Sequence, residues 1–96
     1  MLAIDDSATA AITTLTTATG NGPDGGLRIT LGAVDDGPTF QLEIASNPAD
    51  GERVVVSEQG ARVFLDDGAS RLLSDKVLDV RTDDRGNFRF GVYPQL

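Results

Sequence analysis

The sequence predicts an α+β domain that is mainly β, with a twisted two-layer antiparallel or mixed sheet, one N-terminal helix and one short internal helix. Three observations lead to this prediction. An early segment has helical spacing of its apolar residues, most of the remaining chain alternates apolar and polar residues, and clusters of Gly, Pro, Asn and Asp separate the alternating runs. At 96 residues the chain is long enough for one domain, 1–96, and too short for two.

The first predicted element is a helix over residues 7–19. Its apolar residues follow the spacing of one helical face, at Ala8, Ala11, Ile12, Leu15 and Ala18. Asp5, Asp6 or Ser7 can cap its N-terminus, and Gly20 can close its C-terminus. Because the helix contains many threonines, which are weak helix formers, we expect it to depend on packing for its stability.

Four alternating runs follow a Gly-rich loop at 20–26 and predict strands. The first two carry Leu27, Ile29 and Leu31, and then Phe40, Leu42 and Ile44, with a turn at 35–38 between them. A turn at 47–51 precedes a third strand at 53–57, and Gln59-Gly60 leads into a fourth. In that fourth strand Phe64 points away from Val63 and Leu65, so we expect both of its faces to be covered.

A short helix and two strands complete the prediction. The helix spans one or two turns within 69–74, around Leu72 and Leu73. Two strands follow, one with Leu78 and Val80 and one with Phe88, Phe90 and Val92, and Pro94 is expected to stop the pairing. The alternation predicts a core of inward-facing side chains: Leu27, Ile29, Leu42, Ile44, Val63, Leu65 and Phe90.

Composition excludes several classes of function. The chain has no cysteine and no histidine, which removes thiol nucleophiles, Cys-ligated metals and the commonest general base. A formal net charge of −7 repels phosphate backbones and anionic lipid, so neither nucleic acid nor a membrane is expected as a partner. The acidic start of the chain differs from a signal peptide and no apolar run approaches a membrane span, so we expect a cytoplasmic location.

Two motifs have weak functional interpretations. Gly20, Gly22 and Gly25 have the G-x-G-x-x-G spacing of dinucleotide-binding loops, but they follow a helix and precede a strand, which favours a connector. Acidic turns at 35–37, 66–68 and 83–86 could supply oxygen ligands to a hard cation, but Asp and Gly are also what turns require, and we favour that structural interpretation.

The nucleophiles are equally weak candidates. The chain offers five serines but no histidine to activate them, and the single lysine, Lys76, lies beside Asp75 as in a solvated ion pair. No catalytic, cofactor-binding or metal-binding residue is therefore assigned, and no cofactor is expected.

The order of segments resembles the A-type iron-sulfur carriers, or HesB-like family, over nearly the whole chain. The resemblance lies in G-L-R-I at 26–29, F-Q-L-E-I at 40–44 followed by P-A-D-G-E at 48–52, G-A-R-V-F-L-D at 60–66, and G-N-F-R-F at 86–90 before Pro94. It implies a HesB-like fold and a relation to iron-sulfur cluster biogenesis.

The sequence departs from that family at the cluster ligands. The family has one cysteine before its second long strand, where this chain has Asp35 and Asp36, and a C-x-C beyond the position of Pro94 that this sequence does not contain. We therefore expect a non-enzymatic binding or regulatory module of unknown protein partner, with a homodimer left open. The alternative is a protein that binds iron or another hard cation through clustered aspartates.

Overall fold

A computed structural model describes residues 1–20, 24–34 and 37–95, which form seven strands and two helices. The α+β, mainly β class predicted from the sequence is confirmed. The elements in chain order are β1 (Ala3–Ile4), α1 (Asp6–Ala18), β2 (Gly26–Val34), β3 (Gly37–Ala45), β4 (Arg53–Val56), β5 (Arg62–Leu65), α2 (Asp67–Leu72), β6 (Lys76–Thr82) and β7 (Phe88–Pro94).

The strands form two sheets. One has the order β1-β6-β7 and the other the order β3-β2-β5-β4. The chain neighbours β2 and β3, β4 and β5, and β6 and β7 pair antiparallel, whereas β1 pairs with β6 and β2 with β5 in parallel. Each sheet therefore contains one parallel pair and is mixed. Both parallel pairs join segments that lie far apart in the sequence.

Helix α1 begins and ends one residue earlier than predicted, at Asp6 and Ala18. The Asp5 side chain accepts a hydrogen bond from the Ser7 N–H and caps the N-terminus, while Gly20, with φ +74°, follows the C-terminal cap residue Thr19. The helix packs on β6 and β2. Its buried stripe differs from the predicted one, since Leu15 is only half-buried and Ala18 is exposed. The buried residues are Ala8, Thr9, Ala11, Ile12 and Thr16.

The core lies between the helices and the two sheets. Of the seven predicted core residues, Leu27, Ile29, Val63 and Leu65 are buried, and Ile44 and Phe90 are half-buried against them. Leu42 was wrongly assigned to the core: it is 45% exposed, because β3 is the edge strand of its sheet and has a neighbouring strand on one side among the described residues. Large buried side chains that the alternation missed are Leu2, Ile12, Leu73 and Leu78.

Strand β5 is covered on both faces, as predicted. Phe64 is fully buried although it points away from Val63 and Leu65, and it lies in register between Arg28 of β2 and Val54 of β4. Pro94 ends β7, but pairing does not stop there, because the Gln95 N–H donates to the Asp75 carbonyl oxygen at 2.9 Å.

Within the described ranges, neither helix has the length and apolar character needed to cross a membrane.

Candidate functional site

The acidic turn at 66–68 is occupied by structural hydrogen bonds. Asp66 caps α2: its Oδ1 accepts from the Ala69 N–H at 2.7 Å, and its Oδ2 accepts from the Leu31 N–H at 3.2 Å. One carboxylate therefore starts a helix and attaches it to β2. This use explains the acid before Asp67-Gly68 without a bound cation.

The acidic turn at 83–86 connects β6 and β7. Oδ1 of Asp83 accepts from the N–H groups of Arg85 and Asn87, both at 2.9 Å, while Oδ2 lies 3.5 Å from Nε of Arg89. The hydrogen bonds from Asn87 and Arg85 hold the pKa of Asp83 below its usual range. Gly86, with φ +81°, completes the turn, so the structural interpretation holds here too.

The third acidic turn carries Asp35 and Asp36, which lie outside the described residues. The prediction that they form an exposed turn remains a prediction. Among the residues that the structure describes, no three acidic side chains gather closely enough to hold a metal ion.

The G-x-G-x-x-G spacing lies in a connector, as its context predicted. Gly20 follows the C-terminal end of α1, and β2 begins at Gly26. The helix end that faces this loop presents carbonyl groups, which repel a pyrophosphate. Gly22 lies outside the described residues.

The candidate nucleophiles have structural partners. The Ser7 hydroxyl donates to Oδ2 of Asp5 at 2.7 Å and accepts from the Val80 N–H at 3.1 Å. Oγ of Ser57 accepts from the Ala61 N–H at 3.0 Å. Lys76 forms the predicted ion pair with Asp75, with 3.0 Å between Nζ and Oδ1.

One polar cluster was not found from the sequence. Arg28, in the middle of β2, forms a two-pronged ion pair with Glu52, with Nε to Oε2 at 2.9 Å and NH2 to Oε1 at 3.1 Å. The same guanidinium donates to Glu43 at 3.2 Å and to the Asn47 carbonyl oxygen at 3.0 Å. Oε1 of Glu52 also accepts from the Ala49 N–H at 2.6 Å, so the cluster ties the 47–51 turn to β2.

The burial of Arg28 and Glu52 indicates that their cluster stabilises the fold. The side chain of Glu52 is 8% exposed and that of Arg28 is 22% exposed. Burial alone would raise the pKa of Glu52, but the hydrogen bonds from Arg28 and from the Ala49 N–H outweigh it and the pKa is lowered. The Glu52 hydrogen bonds raise the pKa of Arg28 in turn. The sequence carries little signal of this cluster, because Arg28 occupies an ordinary polar position of the alternating strand at 27–31 and its partner Glu52 lies 24 residues away.

Two apolar side chains of β4 are exposed. Val54 and Val56 are 40% and 53% exposed on one face of the edge strand β4. A cleft of about 350 Å³ lies beside this strand, lined by Met1, Leu2, Arg53, Val54, Val55, Leu65 and Ser70.

No protein-family model and no curated protein matches the sequence. Two solved structures are similar to it in fold. IscA, solved with its [2Fe-2S] cluster, superimposes with a TM-score of 0.75 and 21% identity, over 95% of this chain and 84% of that one. SufA of Escherichia coli, described as involved in the biosynthesis of iron-sulfur clusters, gives a TM-score of 0.78 and 18% identity, over 97% of this chain and 79% of that one. The resemblance read from the sequence is therefore confirmed in three dimensions, and this cysteine-free chain has the fold of the A-type iron-sulfur carriers.

Proposed function

We propose that the chain is a non-enzymatic binding or regulatory module for a protein partner, built on a carrier fold and unable to hold an iron-sulfur cluster through cysteine. The observation that carries the proposal is the absence of every cysteine and histidine from a chain with this fold. Cluster iron is held chiefly by thiolates, with histidine as an occasional substitute. The oxygen donors that remain favour hydrated iron over sulfide-bridged iron, so the residues present do not fit a cluster.

The engagement of the polar side chains supports a role without catalysis. Asp66, Asp83 and Glu52 each accept hydrogen bonds that hold a helix or a turn in place. Ser7 and Ser57 likewise contact backbone groups. These hydrogen bonds account for the presence of these side chains without a catalytic role.

Anaerobic reconstitution tests the first half of the proposal. The protein is incubated with ferrous iron, sulfide and a reductant, desalted, and examined by ultraviolet-visible and Mössbauer spectroscopy, with IscA treated identically as the positive control. We expect no sulfide-to-iron charge-transfer bands and no cluster signal from this chain. Stoichiometric iron and acid-labile sulfide that stay with the protein would contradict the proposal.

Cross-linking in the native cell tests the second half. SufA is described as taking part in iron-sulfur biosynthesis, so proteins of that process are the first partners to examine. We expect one or a few proteins to be enriched in proportion to the amount of this chain. Turnover of a small molecule by the purified chain alone would argue for an enzyme instead.

Three finer expectations remain predictions. Cell fractionation tests the cytoplasmic location, and sedimentation of the purified chain tests a homodimer. The hard-cation alternative now depends on Asp35 and Asp36, because the other two acidic turns are used structurally. Calorimetric titration with ferrous iron, compared between the natural chain and the variant with Asp35→Asn and Asp36→Asn, tests it.

A further inference from the structure

Two sheet edges face each other across a cleft. Within the described part of the chain, β1 pairs with β6 alone and β4 with β5 alone, so each is the outer strand of its sheet. A second cavity of about 240 Å³ shares Leu2 with the cleft beside β4 and is lined by Leu2, Ala3, Ile4, Asp6, Val56, Ser57, Glu58 and Gln59. We call the space between residues 1–6 and 53–59 the strand cleft.

The two sides of the strand cleft run in the same direction. Met1 and Leu2 lie across from the start of β4, and Ile4 and Asp6 lie across from its end. Among the described residues no backbone hydrogen bond joins the two sides, although Nε2 of Gln59 donates to Oδ1 of Asp6 at 3.3 Å at the far end. The edge of β4 that faces the cleft therefore keeps its backbone donors and acceptors available.

β4 is a short edge strand whose charged residue, Arg53, is its first. After Arg53 it consists of three valines, and two of them are exposed. The edge strands β3 and β7 instead contain a charged residue within the strand, Glu43 and Arg89, which hinders pairing with another chain. An exposed β-branched edge is a template on which an extended peptide adds a strand.

The charges at the two ends of the strand cleft have opposite signs. Arg53 is exposed at the first end and makes no ion pair with any described residue. Asp6 and Glu58 are exposed at the second end. β4 itself is roughly 13 Å long, and Glu58 lies in the turn that follows it, so a partner strand of about six residues extends along β4 and past both of its ends.

We propose that the strand cleft binds an extended segment of a partner protein, with an acidic side chain facing Arg53, a basic side chain facing Asp6 and Glu58, and β-branched residues between them. This inference rests on the proposed binding function and specifies its surface. The segment runs antiparallel to β4, the more stable pairing, and its apolar side chains cover Val54 and Val56. Residues 53–58 of a second copy would also match these charges, but the net charge of −7 on each copy opposes their association, so we assign the strand cleft to a partner protein and leave self-association as an outcome of the test.

Fluorescence anisotropy with a labelled, end-blocked peptide, Lys-Thr-Val-Thr-Val-Glu, tests the proposal on the full chain. We expect saturable binding that Val56→Lys weakens at least about tenfold, because the lysine places a charge against the added strand. Leu42→Lys is the matched control, since Leu42 is a similarly exposed apolar residue on the other edge of the same sheet. It should leave the affinity unchanged, and the melting temperature of each variant confirms that it folds.

A charge exchange checks the direction of binding. Arg53→Glu should weaken the peptide about tenfold, and a peptide that ends in Lys in place of Glu should recover affinity for that variant. The proposal is overturned if the peptide shows no saturable binding up to about 1 mM. It is also overturned if Val56→Lys has no more effect than Leu42→Lys, or if Val56→Lys abolishes self-association in place of peptide binding. In any of these cases, a partner protein that still cross-links to the Val56→Lys variant would leave the proposed binding function intact. Only the strand cleft would then be rejected as the binding surface.

Discussion

Ile29 and Leu42 stand opposite each other in adjacent strands, yet one is 1% exposed and the other 45%. Both belong to alternating runs, and both point to the same side of the sheet. Ile29 lies in β2, which has a strand on each side, whereas Leu42 lies in the edge strand β3. The comparison of the sheet centre with its edge teaches that alternation reports which way a side chain points, while strand order decides how much of it is covered.

The largest expected effect comes from truncating this pair. Ile29→Ala should lower the free energy of unfolding by about 2 to 5 kcal/mol, because it removes fully buried methyl groups and leaves a cavity. Leu42→Ala should cost less than about 1 kcal/mol, since much of that side chain already contacts water. Urea denaturation of both variants measures the difference. Equal losses would mean that the edge of the sheet is covered.

The next largest effect is expected from Gly26→Ala, which tests how closely the backbones of β2 and β5 approach each other. A Cβ at Gly26 would meet the backbone carbonyl of Arg62 in the neighbouring strand β5, and a backbone group in a sheet cannot easily move away. We expect Gly26→Ala to cost about 1 to 3 kcal/mol.

Gly68→Ala is the matched control for this substitution. Its added Cβ would meet the Cδ2 atom of Leu31 at 2.7 Å, which is the end of a flexible side chain. Thermal unfolding of the two variants should therefore give a clearly smaller loss for Gly68→Ala. A loss at Gly68 that matches the loss at Gly26 would contradict the close approach of β2 and β5.

The ion pair between Arg28 and Glu52 gives a pH-dependent test of the centre of the sheet. Glu52→Gln removes the ion pair with Arg28 and should cost about 2 kcal/mol near pH 7. Folding lowers the pKa of Glu52, so its stabilisation is complete above about pH 4.5 and is lost as the pH falls through the folded-state value. Urea denaturation across this range should therefore show the natural chain and the variant converging at low pH. A difference that grows as the pH falls would contradict the lowered pKa.

The smallest effect is expected at the hairpin between β6 and β7, far from the centre of the larger sheet. Asp83→Asn should lower the melting temperature slightly at neutral pH, because the hydrogen bonds from Arg85 and Asn87 then reach a neutral oxygen. Asp84→Asn is the matched control in the same turn and should have no effect. The effect of Asp83→Asn should disappear at acidic pH, where both chains carry a neutral side chain at this position.

Much of the fold was predictable because its signals are local. Asp5 before a helical apolar stripe and Gly20 after it mark the two ends of α1, and the alternating runs mark the six longer strands. The polar cluster was not predictable in the same way. Arg28 occupies a regular polar position of an alternating strand, and its pairing with Glu52 depends on how the 47–51 turn folds back over β2.

The sequence by itself determined the secondary structure, the α+β class and the absence of thiolate and imidazole ligands, because these depend on the spacing and type of residues along the chain. Only the tertiary structure decided that β3 and β4 are edges, that Asp66 and Asp83 serve a helix and a turn, and that β1 faces β4 across a cleft. The physical reason is that burial and pairing depend on what lies on each side of a strand. In both sheets those neighbours include segments that are distant in the sequence.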